Sequence, residues 1–208
     1  MAKKQKKQIH SRAYHRYFEG YEEIVIDDPK DGTPRIQRHY AGDYYKPKLT
    51  EKERVIRKVM YCAFFLIAAA LFFFAASRDA GFNSVWYVVV PSCMSFFFFV
   101  LHAISLVWNL MAPAKMEIRE YRDSHEKFLN TSALTGTSLL LTSLASVVYM
   151  VVVSTISYNI LTVVMFLLAS SAMFCSYALE KEVRFDVEIQ ENAHVPKSAT
   201  IRYYSDLK

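Results

Sequence analysis

The chain has 208 residues, 53% hydrophobic and 15% aromatic, with 25 Lys and Arg against 20 Asp and Glu. Dispersed, those apolar residues would suit one soluble domain. Instead they form long uncharged runs: Val59 to Ser77 and Phe128 to Leu179 carry no Asp, Glu, Lys, Arg or His, and Ala80 to Ala114 carries only His102. Runs of that length read as membrane spans, because about 20 helical residues cross a hydrocarbon core of about 30 Å. The expected fold class is membrane all-α, a four-transmembrane-helix bundle with a small cytoplasmic β element formed by the N- and C-terminal tails.

In chain order, residues 1–18 form a basic tail in which Lys3, Lys4, Lys6, Lys7, Arg12 and Arg16 meet no acid before Glu19. These six are candidates for contact with anionic lipid headgroups, at about 1 kcal/mol per basic residue near the surface. Nucleic acid is the weaker reading of the same tail, because a membrane domain follows it. Residues 19–58 hold YEEIVID and PRIQRHY around the turn formers Asp28, Pro29, Asp31 and Gly32, the pattern of a β-hairpin, followed by a linker.

The first span is expected at 59–77 and the second at 86–110. In the second, Trp86 and Trp108 stand 22 residues apart, about 33 Å of helix, which fits two interfacial aromatic belts. Pro91 is expected to bend that helix near its outer end. From Pro113 to Asn130 the charge pairs Arg119/Asp123, Arg122/Glu126 and Asp123/Lys127 at i,i+4 predict an amphipathic cytoplasmic helix, 113–130. The last uncharged run is long enough for two spans, 132–153 and 158–179, folded back near Ser154 to Asn159. In the tail, 180–208, Val183, Phe185, Val187 and Ile189 alternate with Arg184, Asp186, Glu188 and Gln190. Period-two alternation predicts a strand with its apolar face buried, a second strand following at Thr200 to Tyr204. Isolated hairpins are marginal, so the two tails are expected to share a small sheet.

Of the 25 Lys and Arg, Arg78 alone falls on the short connection after the first span. The other 24 lie on the opposite side, so the positive-inside bias places both termini and the central loop in the cytoplasm of a cell membrane. The first span also begins too late for a cleaved signal peptide.

Catalytic signatures are missing: there is no Gly-rich phosphate loop, paired-histidine metal motif or nucleophile elbow. The expectation is a non-enzyme with no cofactor and no metal. Cys62, Cys93 and Cys175 lack clustered spacing and are expected to be buried neutral thiols. What remains are two polar stripes at helical spacing, Ser95, His102, Ser105 and Asn109 on the second span and Thr135, Ser138, Thr142 and Ser146 on the third. Small hydroxylated residues let membrane helices approach and hydrogen-bond, so these eight are expected to act in intramembrane polar packing, His102 meeting Ser138 or a neighbouring hydroxyl. No acid falls inside the expected spans, which argues against proton-coupled transport. The functional expectation is an accessory or scaffold subunit that binds a protein partner at the cytoplasmic face, or forms a homo-oligomer. The alternative is a small oligomeric channel or transporter using the two stripes.

Overall fold

The computed structural model describes residues 19–27, 34–78, 85–153, 156–189 and 200–201. They divide into a helical unit, Pro47–Pro113 with Arg122–Arg184, and a strand unit drawn from Met1–Lys46, Ala114–Tyr121 and Phe185–Lys208.

The helical unit contains four helices long and apolar enough to cross a membrane. Helix α1, Glu51–Ser77, begins earlier than the uncharged run because Thr50 and Glu53 form a reciprocal cap. The Thr50 hydroxyl accepts the Glu53 amide at 3.3 Å, and the Glu53 carboxylate accepts the Thr50 amide at 2.8 Å. Helix α2, Trp86–Met111, carries Pro91 in its second turn. Its missing amide leaves the Tyr87 carbonyl without the donor it would have at i+4, a loss confined to the first turns of the helix.

The third long helix departs from expectation at its start. The predicted helix over 113–130 does not begin at Pro113: within the strand unit, Met116 and Tyr45 exchange backbone hydrogen bonds of 2.8 and 2.9 Å. That bridge requires extended backbone. Helix α3, Ile118–Tyr121, therefore starts only after Glu117, whose amide is capped by the Glu120 carboxylate at 3.1 Å. A π-helical turn, Arg122–Glu126, leads without a break into α4, Lys127–Val153, so the candidate span runs over 36 residues from Ile118. The predicted Asp123–Lys127 pair forms at 2.6 Å. Helix α5, Ile156–Lys181, completes the unit and takes in Glu180, which the sequence pattern assigns to the tail.

Helix α4 packs along α2 and α5, and α1 packs on α5. Helices α4 and α5 approach closely at Gly136, whose carbonyl accepts the Ser170 hydroxyl at 2.8 Å and where a Cβ would lie 3.2 Å from the Phe174 ring. One core cluster gathers Phe72, Phe99, Leu139, Phe166 and Met173, and a second gathers Tyr61, Leu106 and Phe128. The outer surface is apolar, with Leu66, Phe97, Trp108, Leu141 and Leu168 all about half exposed or more. Cys93 and Cys175 lie on it too, exposed rather than buried; a neutral thiol suits an apolar surround as well as a core does.

In the strand unit, β1 (Tyr21–Asp27) and β2 (Pro34–Tyr40) pair antiparallel from Tyr21↔Tyr40 to Asp27↔Pro34. The short β5, Thr200–Ile201, adds to the other edge of β1, and β3 (Tyr44–Pro47) pairs with β4 (Phe185–Glu188). Each tail thus supplies strands to the other. Gly20, with φ of 82°, closes the open end of the β1–β2 hairpin, its carbonyl accepting the amides of Ala41 and Gly42 while the Tyr40 ring covers its α-carbon face. The Tyr40 hydroxyl donates to the Asp43 carbonyl at 2.7 Å and accepts the Ile118 amide at 3.0 Å.

The expected buried face of the C-terminal strand is only partly present. Phe185 meets the edge of Tyr121 at 4.9 Å, itself next to Tyr45, which stacks on it at 4.5 Å. Val187 and Ile189, however, are 51% and 78% exposed. Among the described residues no second layer covers this two-stranded sheet, four residues long.

Candidate functional site: a buried polar seam

Inside the helical unit, the polar side chains face one another. Ser95, His102, Thr135, Thr142 and Ser146 are completely buried, and Ser105, Ser138 and Asn109 nearly so. Most of their hydroxyls close local bonds to the preceding turn: Thr135 donates to the Thr131 carbonyl at 2.7 Å, Ser138 to Thr135 at 2.9 Å, Thr142 to Ser138 at 2.9 Å and Ser146 to Thr142 at 2.8 Å. Such back-bonding satisfies a hydroxyl where no water can reach it. Between helices, Ser95 and Thr142 stand 3.3 Å apart, Ser95 also donating to the Pro91 carbonyl at 2.9 Å.

His102 sits between the rings of Phe65 and Phe128, at 5.8 and 4.9 Å. Its Nδ1 lies 3.0 Å from the Thr131 hydroxyl and 3.5 Å from that of Ser132, not beside Ser138. The shift from 138 to 131 is seven residues, two helical turns on the same face. Thr131 has one proton, and carbonyls at Lys127 (2.9 Å) and Phe128 (3.2 Å) compete for it with Ser105 Oγ at 2.6 Å. That proton can go to only one of them, which leaves the Thr131 oxygen to accept from His102 Nδ1–H. Nε2, which has no partner among the described residues, is then a bare lone pair, cheaper to bury than an orphaned N–H.

At the end of the unit where α2 and α5 terminate lies a second cluster, which the sequence reading did not contain. Glu180 on α5 and His125 on the π turn are 5% and 7% exposed, with Oε1 and Nδ1 2.6 Å apart. Asn109, at the end of α2, donates Nδ2–H to the same Glu180 oxygen at 3.2 Å and lies 3.3 Å from the Ser124 carbonyl. The Tyr61 hydroxyl, buried beside Glu180 and Arg57, makes no hydrogen bond of normal geometry among the described residues. One carboxylate therefore ties three elements together. Glu180 was legible as a continuation of the inward row Met173, Ser176, Glu180 at i+3 and i+4. A span boundary drawn at the first charge cut it off. His125 had no comparable signal, because a π turn rotates the following residues off the regular helical face.

Three cations of α1 complete this end. Arg54 donates to the Ala112 carbonyl, Arg57 to that of Leu179, and Lys58 to that of Leu110 at 2.6 Å. Last-turn carbonyls of α2 and α5 have no intrahelical amide, and a cation supplies both the missing donor and a charge opposite to the negative end of the helix dipole. Arg57 also approaches Glu182 at 3.8 Å.

In the strand unit, Lys115 pairs with Glu188 at 2.6 Å and lies 4.3 Å over the Tyr44 ring, holding the Glu188 carboxyl below the usual range. Tyr21 donates to the Glu117 carboxylate, which pushes its phenol up to about 12. Burial raises Tyr40 as well. Lys3, Lys4, Lys6, Lys7, Arg12 and Arg16 lie outside the described residues. Among the described residues no three His, Cys, Asp or Glu side chains gather as a metal site. No family model, curated protein or solved structure matches this chain.

Proposed function

We propose that this multi-pass membrane protein is a non-catalytic accessory or scaffold subunit, both termini in the cytoplasm of a cell membrane, holding a protein partner at that face through its strand unit. The observation that carries the reading is the direction of the polar side chains. All eight stripe residues are at most 8% exposed and turn toward helices of the same chain, whereas the outer surface is apolar. Such a bundle is complete in lipid without a polar partner helix, which leaves the extramembrane strands as the recognition element. The basic residues support the orientation, and the six of the N-terminal tail would add anionic-lipid contact.

The test is purification in mild detergent from native membranes. A foreign subunit at stoichiometric level, lost in Phe185→Asp while the helical unit keeps its melting temperature, supports the reading. A homo-oligomer without foreign subunits moves the weight to a small oligomeric channel or transporter. One observation supports that second reading: a buried acid, Glu180 against His125, sits at the end of a candidate span, and transport commonly needs an acid within the membrane. Because the stripes close on each other within one chain, a path would run through the protomer rather than between protomers.

A further inference from the structure

Helix α1 inverts the usual order at its first turns. Arg54, Arg57 and Lys58 turn inward onto carbonyls of α2 and α5, while Val55, Ile56 and Val59 point outward at 56%, 58% and 62% exposure. These three continue the outward strip of Leu66, Ile67, Phe73 and Phe74. At the same level α2 ends in Met111, 73% exposed, next to the Leu110 carbonyl that Lys58 caps. On α1 and α2 the apolar outer surface therefore runs past the depth of the three cations, while beyond the end of α5 Glu182, 3.8 Å from Arg57, is exposed.

We propose that lipid acyl chains cover α1 from Val55 onward, so that Arg54, Arg57 and Lys58 work inside the protein at hydrocarbon depth as helix caps, and not as headgroup ligands. This rests on the membrane reading above. Length permits both boundaries, since Val55 to Phe74 is about 28 Å of helix and Val59 to Ser77 about 27 Å, each close to the hydrocarbon thickness of about 30 Å. The outward direction of Val55 and Ile56, at 56% and 58% exposure, decides between them. A water-facing surface would carry Val55, Ile56 and Val59 at a cost in apolar exposure while three cations beside them are partly buried, the reverse of what solvent selects. The caps replace hydration that the cations lose, which is what makes the inversion tolerable.

The test uses the full chain in phosphatidylcholine nanodiscs, with Cys62, Cys93 and Cys175 replaced by alanine and nitroxide labels at Lys52→Cys, Ile56→Cys or Leu66→Cys. Collision with oxygen over collision with a water-soluble nickel complex reports depth. The expected ratio at Ile56 resembles that at Leu66 and is several-fold above Lys52. An Ile56 ratio equal to that of Lys52 overturns the proposal in favour of water, and protection from both reagents overturns it in favour of a covering protein helix. A water-like ratio at Leu66 as well would instead sink the membrane reading on which it rests. A second measurement is independent of labels. Lys58→Met should lower the melting temperature equally in phosphatidylcholine and in phosphatidylcholine with phosphatidylglycerol; a loss confined to the anionic mixture would make Lys58 a headgroup ligand and overturn the proposal.

Discussion

Glu180→Ala tests the cluster at the end of the bundle most directly. The change removes the acceptor of His125 Nδ1 at 2.6 Å and of Asn109 Nδ2 at 3.2 Å, and all three side chains are under 9% exposed. Hydrogen bonds in membrane bundles contribute about 0.6 kcal/mol on average and up to about 1.7 kcal/mol. A buried donor left unsatisfied adds about 1–3 kcal/mol. Two lost bonds and one poorly compensated donor give about 3 kcal/mol of destabilisation. Glu180→Gln keeps an oxygen at the same place and should cost about 1 kcal/mol. Denaturant-induced unfolding in mixed micelles, followed by helical circular dichroism, measures both. A cycle with His125→Ala should return a coupling of about 1.5 kcal/mol, in the range found for residues in direct contact. An alanine variant within about 0.5 kcal/mol of the parent, the range of ordinary surface changes, refutes the reasoning, as does a cycle that is additive.

Gly136→Ala places a methyl 3.2 Å from the Phe174 ring; because that ring is 36% exposed it can swing outward, and the cost should stay near 1 kcal/mol, while Gly136→Val should cost at least 2 kcal/mol, roughly the price of overpacking, read as melting temperature. Phe185→Asp should unseat the Tyr121 contact and destabilise the strand unit, whereas Val187→Asp, at a half-exposed position, should not; equal losses would mean that the alternation is buried after all. Tyr21 holds its proton more tightly folded, up to about 12 against 10.0, so its contribution is complete below pH 10 and lost as pH rises through about 12; Tyr21→Phe should remove a tyrosinate absorbance step near pH 12, and an unchanged titration counts against the Glu117 bond. For topology, single cysteines at Asn83 and Ser157 should react with an impermeant reagent from outside intact cells, and those at Lys30 and Ser198 should stay silent; labelling at Lys30 reverses the orientation.

Hydropathy and charge were sufficient to count and place four long helices, because excluding charge from about 20 successive residues is a constraint written directly in the chain. The polar stripes were equally legible: Ser95, His102, Ser105 and Asn109 share a face by spacing alone, and a face is a property of one helix. The antiparallel hairpin of Tyr21–Asp27 with Pro34–Tyr40 also follows from local alternation and its turn residues. What tertiary structure decided was partnership and boundary. Thr131 rather than Ser138 meets His102, because axial register between two helices is a property of the packed pair and is not written in either helix alone. In sequence Arg54, Arg57 and Lys58 count only toward the basic side that sets orientation, and Glu180 is the first residue of a tail. Their roles as caps and as a buried tie exist only because the ends of other helices arrive beside them, distant in the chain, and carbonyls without amides require a donor wherever they stop.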